Sequence, residues 1–317
     1  MKFGLWVTAN FPTRFTPAQW YHGLAEQVRC AKQMGFSLIS SGQHYLTAPD
    51  QRLQTLPLLA RLSAEGDGME VATSVVLLPL HNPVDIAEQV ATMDVVTGGK
   101  FILGLGMGRA EVEFGAFGVD KKRIVSRYEE AIDVILKLWR GGVVEHKGRH
   151  FTVPRTESMV RSVSQPHPRV WLGGGAEAPI QRAGRYGFAW FPISGDIQRI
   201  SQGRAVHARA LAEHGKPVPP DFPMGVWVYL AETEQQALEE VYRFHGGGAT
   251  PDEFRRRAAA QMIVGTPQQC VQRVKELQDR LGVNYLLCRL QTPAMTQADV
   301  LRNVCLLGEE VILKFRT

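Results

Sequence analysis

Cysteine is scarce in this chain: four residues, Cys30, Cys270, Cys288 and Cys305, are scattered over 317 positions without a C-x-x-C pair. Such spacing excludes the usual zinc frameworks, and the four read as reduced structural thiols. The histidines show no metal-ligand spacing either, so no metal is expected. Long apolar runs are also missing, since nothing approaches the ~18 uninterrupted apolar residues of a membrane helix. The opening "MKFGLWVTANFP" has one lysine and a short apolar run with no small-residue cleavage site, and reads as a first strand rather than a signal peptide. Cytoplasmic residence without a membrane partner is the default expectation. Charge of one sign is not concentrated. The net +5 comes from 36 basic and 31 acidic residues spread along the chain, with "FRRRAAA" (254–260) the one basic cluster. Nucleic-acid recognition leaves a patch or stripe, so no nucleic-acid partner is expected.

A dinucleotide fingerprint is lacking too. The stretch "FILGLGMGRAEVEFGAFG" (101–118) closes a hydrophobic run with alternating glycines, which signals that something comes close to the backbone. The fingerprint needs a third glycine three residues after the second, opening a helix. From Gly106 and Gly108 that position is Glu111, and from Gly104 and Gly106 it is Arg109. A different parallel-sheet architecture must account for these glycines.

What is present is an alternation of short β-branched or aromatic runs with amphipathic helical patterns. The runs are 2–7, 36–44, 69–79, 101–108, 169–175, 188–194, 224–231 and 284–290. Helix starts stand between them: Thr16-Pro17, Asn82-Pro83 and Thr266-Pro267 each place a capping side chain before a proline at the first helical position, and glycines such as Gly35 and Gly282 close the helices. Eight β-then-α units predict an α/β fold, a (β/α)8 TIM barrel forming a single domain over 1–317. A doubly wound open sheet is the alternative, disfavoured by the missing fingerprint. Barrel chemistry sits at the C-terminal ends of the strands. Those ends offer His44 and Tyr45, Ser74 and Val75, Gly106 to Arg109, Gly173 to Glu177, and Trp190. Glycines at two rims, with no acidic pair facing them, leave room and backbone donors for a flat cofactor with a phosphate tail.

At "SSGQHYL" (40–46), "SVVLLPLHNPVDIAEQVATMDVVTGGKFILGLGMG" (74–108), "EFGAFG" (113–118), "SRYEEAIDVILKLW" (126–139), "WLGGGAEAPIQRAGRYGFAWFP" (171–192) and "IVGTPQQCVQRVKEL" (263–277) the sequence resembles the bacterial luciferase-like flavin-dependent oxidoreductases. The resemblance covers almost the whole chain, and the motifs are specific in this order rather than singly. It implies a TIM barrel that holds FMN, or its deazaflavin counterpart, over the barrel mouth. Ser74-Val75 matches the family's non-prolyl cis peptide in the third strand. The resemblance places the phosphate on Gly174, Gly175 and Ala176, with Arg127 adding a charge, and the ring and ribityl chain along Gly106, Met107 and Gly108. The absent side chains at those glycines would make the space. Luciferase itself carries a hydroxyl side chain, a basic residue and a thiol where this sequence has Ala176, Met107 and Gly106, which shifts phosphate binding toward backbone groups.

His44 matches the family's catalytic histidine and suits proton transfer near neutrality. His81 precedes a capped helix and reads as structural. Trp6, Tyr45 and Trp190 are candidates for a substrate wall, whereas Trp20, Trp139 and Trp171 read as core. The stretch 246–262, "GGGATPDEFRRRAAAQM", reads as an insertion or flap between the seventh strand and helix 7, in the region where the family carries an active-site loop. The expected activity is that of a two-component monooxygenase, which takes reduced FMN from a separate NAD(P)H-dependent flavin reductase and uses O2 to oxygenate a small organic substrate. Alternatives are a deazaflavin-dependent hydride-transfer enzyme on the same fold and a non-catalytic flavin-binding protein. Family habit implies a homodimer or a higher homo-oligomer.

Overall fold

The computed structural model describes residues 1–157, 160–245 and 247–316. Each of the eight expected runs contains a strand: β1 Lys2–Trp6, β2 Leu38–Ser41, β3 Glu70–Thr73, β4 Phe101–Gly106, β5 Arg169–Gly173, β6 Ala189–Phe191, β7 Pro223–Leu230 and β8 Tyr285–Arg289. They are parallel neighbours in the order β6, β5, β4, β3, β2, β1, β8, β7. A ninth strand in this path, Met262–Gly265, pairs with the C-terminal half of β7. The sheet curls until Ile193, just past β6, bridges to Gly225 in β7, and the Gly225 N–H donates to the Pro192 carbonyl at 2.9 Å. The result is an α/β fold on a curled parallel sheet. Helices cover its outside, so the strands are apolar on both faces; all six residues of β4 are buried.

Local chemistry sets the helix starts where they were expected. Thr16 and Thr266 each form a capping box, with Gln19 and Gln269, and Asn82 accepts from the Val84 N–H. Each such cap contributes about 1 kcal/mol.

Inside the curl, Trp6, Leu38, Ile102, Trp171, Phe191 and Leu287 pack into one apolar plug. Beneath it, at the N-terminal ends of the strands, Arg169 donates to Glu70 Oε1 at 2.5 Å, to Asp221 Oδ2 at 3.0 Å and to the Tyr285 hydroxyl at 2.7 Å. The Trp171 indole N–H donates to the same Asp221 oxygen at 2.9 Å. This end is sealed, which leaves the C-terminal ends of the strands as the place for a ligand.

Two small antiparallel pairs were not anticipated: Asn10–Phe11 with Gln51–Arg52, and Val143–Lys147 with Thr152–Glu157. Between β7 and β8 lie three helices, Glu234–His245, Pro251–Gln261 and Pro267–Leu281. Of the stretch expected as a flap, Gly246 lies outside the described residues. The rest is mostly the middle helix, with a Thr250/Glu253 capping box and Phe254 and Ala258 buried, leading into the Met262–Gly265 strand. Among the described residues no helix is long and apolar enough to cross a membrane, and no His/Cys/Asp/Glu group could hold a metal ion.

Candidate functional site

A cleft of about 650 Å³ opens above the plug at the C-terminal ends of β1 to β5 and β8. One side is glycine-rich: Gly106 ends β4 with Met107 and Gly108 after it, and Gly173 ends β5 with Gly174 and Gly175 after it. Ser74 and Val75 line the same cleft, and the peptide joining them is cis, as the resemblance implied. Strand β3 stops at Thr73, and only Val76–Leu77 resumes pairing with β4. A second cleft of about 500 Å³ adjoins the first and shares Gly174, Gly175 and Ile193 with it.

The glycines of β4 have a cause nearer than a ligand. A Cβ on Gly104 would collide with the Thr73 carbonyl oxygen, and one on Gly106 would come within 2.5 Å of Val75 Cγ2. The Thr73 hydroxyl also bonds both the N–H and the carbonyl of Gly104, each at 2.8 Å. Both glycines therefore let the interrupted third strand lie tightly against the fourth. Gly108 differs, since its φ of 79° lies in the left-handed region that favours glycine.

His44 lines the cleft, and its Nδ1 stands 3.0 Å from Glu113 Oε1. That carboxylate is buried on the short helix Glu111–Ala116, and the same oxygen accepts the Tyr45 N–H at 2.8 Å. With Nδ1–H donated to a carboxylate, Nε2 of His44 is left as the free nitrogen. His81 bonds through Nε2 to Gln43 Oε1 at 2.8 Å, and burial pushes its pKa down. The same Gln43 oxygen accepts the Leu77 N–H at 3.0 Å, so His81 braces the segment after the cis peptide, the structural role expected of it.

The remaining sequence candidates scatter. Trp6 lines the first cleft. Trp190 lines the second, and its indole N–H holds the Gly174 carbonyl at 2.7 Å. Tyr45 lines neither; its ring packs against Phe117 at 4.6 Å, and burial, then Glu113 and Asp85, raises its pKa. Ala176 is the exposed N-cap of the helix Glu177–Tyr186 and offers no side-chain cap, leaving the first backbone N–H groups of that helix free of one. Arg127 stands away from both clefts. Its Nε donates to the Pro79 carbonyl at 2.8 Å, and its guanidinium lies 4.4 Å over the Phe151 ring.

Sequence reasoning missed four polar residues here. Glu113 sits inside the quoted "EFGAFG" motif but carried no role. Arg199 reaches the Gly175 carbonyl at 3.2 Å from the following helix, Ile197–Glu213. Arg52 and Arg289 line the cleft from the β2 and β8 sides. Burial pushes the Arg52 guanidinium down to about 10 against an opposing pull from Glu113, and burial together with Arg52 does the same to Arg289. Isolated arginines carry no motif, so only the fold could bring them together.

Comparison with known proteins follows this geometry. Limonene 1,2-monooxygenase of Rhodococcus erythropolis is 24% identical over 282 residues, covering 82% of this chain and 73% of that protein. The F420-dependent glucose-6-phosphate dehydrogenase of Microbacterium testaceum is 27% identical over 315 residues, covering 90% and 91%. Against two Sinorhizobium fredii relatives the match spans only 56% and 41% of their lengths. The crystal structure of monooxygenase RslO1 from Streptomyces bottropensis has a TM-score of 0.87 at 21% identity and full coverage of both chains, a likeness of fold. The model of the luciferase-like monooxygenase family matches residues 1–284, and the chain belongs to that family.

Proposed function

We propose that this protein is the oxygenase of a two-component system, a (β/α)8 enzyme that takes reduced FMN from a separate NAD(P)H-dependent reductase and uses O2 to oxygenate a small organic substrate. One observation carries the reading: a single cleft is lined both by a glycine loop that leads into an uncapped helix and by His44, which Glu113 holds from behind. Homodimeric assembly and a cytoplasmic location belong to the same reading.

The donor set fits a flavin mononucleotide. Gly174, Gly175 and the start of the helix Glu177–Tyr186 would hold the phosphate, because free backbone N–H groups and the helix dipole favour an anion there. Arg199 adds a charge beside that loop. Val75 and Met107 present apolar surface for the ring, and the cleft volume accommodates it beside a small substrate. The bound FMN supplies the redox chemistry. His44, held by Glu113, would accept or donate a proton at Nε2 toward the substrate oxygen. Trp6 would exclude water from the apolar end.

A second reading, hydride transfer by a deazaflavin on the same residues, is favoured by the similarity to the F420-dependent dehydrogenase over 91% of that protein's length. Oxygen uptake decides between them. The oxygenase reading expects O2 consumption when the protein is mixed with a flavin reductase, NADH and FMN, faster than the reductase alone sustains or coupled to substrate loss. An oxygen trace identical to that of the reductase alone, across a substrate panel, contradicts it. The pairing of His44 with a buried carboxylate favours catalysis over mere flavin binding.

A further inference from the structure

The residues lining the main cleft include three arginines, Arg52, Arg109 and Arg289, and no aspartate or glutamate. Two of these arginines are unusual. The Nε–H groups of Arg52 and Arg289 are shut off from solvent without a hydrogen-bond partner. Arg52 is anchored through one terminal nitrogen to the Gly42 carbonyl at 2.6 Å. The Arg289 guanidinium carbon lies 4.8 Å from the Trp6 ring centre and 4.1 Å from that of Trp227. Neither makes an ion pair with a carboxylate among the described residues. The acid acting on Arg52 is Glu113, whose Oε1 already serves His44 and the Tyr45 backbone. His245 meets Trp227 edge-on at 4.2 Å and is pushed down to about 4 by burial and by Arg289 and Arg257. Two arginines thus share this corner of the site with one carboxylate, which is already engaged by His44 and Tyr45.

Buried cations without a counter-ion are costly, and native structures keep them where a ligand completes the pairing. The place within the sheet says which ligand. The glycine loop that suits the phosphate follows β5, whereas the arginine pair stands at β1, β2 and β8, on the opposite side of the curled sheet. A second anion is needed there. A guanidinium packed against two aromatic rings has fewer orientations open to its fork, which suits a planar carboxylate.

We infer that the substrate is an organic carboxylate, held by Arg52 and Arg289 at the β1/β2/β8 rim with its apolar body turned toward Trp6 and Val75. This inference rests on the flavin reading, and it names the substrate class that the reading leaves open. The charge of the cleft lining favours an anion: it holds arginines and no carboxylate, and Glu113 outside it is engaged by His44.

The test uses the quench of tryptophan fluorescence, since Trp6 and Trp227 touch Arg289. The full chain is titrated with benzoate and with octanoate, each against its own primary amide, with and without FMN. The expected result is that at least one acid binds about tenfold or more tighter than its amide and weakens with added salt, as charge-assisted pairing requires. Arg52→Gln and Arg289→Gln should each weaken that acid about tenfold while leaving the FMN dissociation constant and the preference for FMN over riboflavin within about twofold. Arg289→Lys, which keeps the charge and loses the fork, should fall between. Equal binding of acids and amides, or no binding of either acid by the wild-type chain, overturns the inference. So does a loss of the FMN preference in the arginine variants, which would assign both residues to the cofactor. A wild-type chain that binds the acid but not FMN contradicts the flavin reading alone.

Discussion

His44 Nδ1 and Glu113 Oε1 stand 3.0 Å apart although 69 residues separate them in the chain. The contact joins the end of β2 to the short helix after β4, and it leaves Nε2 as the imidazole nitrogen outside the pair. Wild-type protein should therefore show the Nδ1-protonated tautomer of His44 in two-bond ¹⁵N–¹H spectra. Glu113→Gln should lose that uniform tautomer and lower turnover by about 10- to 100-fold, whereas His44→Ala should lower it by about 10²- to 10⁴-fold, the usual worth of a positioned acid or base. FMN affinity should stay level in both. An Nε2-protonated His44 in the wild type contradicts the assignment.

Arg127 and Arg199 give a paired prediction on cofactor binding. Arg127 is occupied by the Pro79 carbonyl and the Phe151 ring, so Arg127→Ala should destabilise by about 1 kcal/mol with FMN affinity unchanged. Arg199→Ala should weaken FMN by about tenfold and riboflavin hardly at all, because only the first carries the phosphate. Fluorescence titrations with both ligands read this directly. The reverse pattern would place the phosphate where the family resemblance put it, beside Arg127.

The β4 glycines answer to packing. Gly104→Ala forces a methyl onto the Thr73 carbonyl, which belongs to the backbone and cannot swing aside, so a loss of about 1–3 kcal/mol is expected, with the midpoint lowered by roughly 2–4 °C per kcal/mol. Gly106→Ala meets the Val75 side chain instead, and adding Val75→Ala should restore most of the stability. Thermal melts of the three variants suffice. A double variant no more stable than Gly106→Ala would show that Val75 is not the obstacle.

Two buried thiols set an alkaline limit. Burial pushes Cys270 up to about 12, and burial with Cys270 nearby pushes Cys288 well above its ordinary value. The folded chain thus keeps protons that the unfolded chain releases near pH 9, so this stabilisation is whole below pH ~9 and is lost as pH rises toward ~12, at up to ~1.4 kcal/mol per pH unit per thiol. Urea melts from pH 7 to 10.5 should show the decline, and Cys270→Ala should make it shallower. An equally steep decline in the variant points to other groups.

The sequence made the strands legible because each central strand is a continuous apolar run ended by glycine or a polar turn, and the helix starts because Thr-Pro and Asn-Pro leave a local signature. The strand Met262–Gly265 was hidden: the stretch read as a flap ended at Met262, and 263–265 opened a quoted motif without being read as a strand. Of the residues lining the candidate cleft, His44, Ser74, Val75 and the glycine loops were named through motifs. Glu113, Arg52, Arg199 and Arg289 were not, since each gains its meaning only from partners that the curled sheet brings near. Arg127 went the other way, a charged residue in a recognised motif whose side chain the fold directs to Pro79 and Phe151.

The most direct test is an anaerobic titration of the purified protein with reduced FMN and, separately, with reduced deazaflavin coenzyme, followed by an oxygen pulse in a stopped-flow spectrometer. The account predicts preferential binding of reduced FMN and a transient absorbance near about 370–380 nm as the bound flavin reacts with oxygen, a property of the cofactor itself. Selective binding of the deazaflavin, with no reaction toward oxygen, would contradict it.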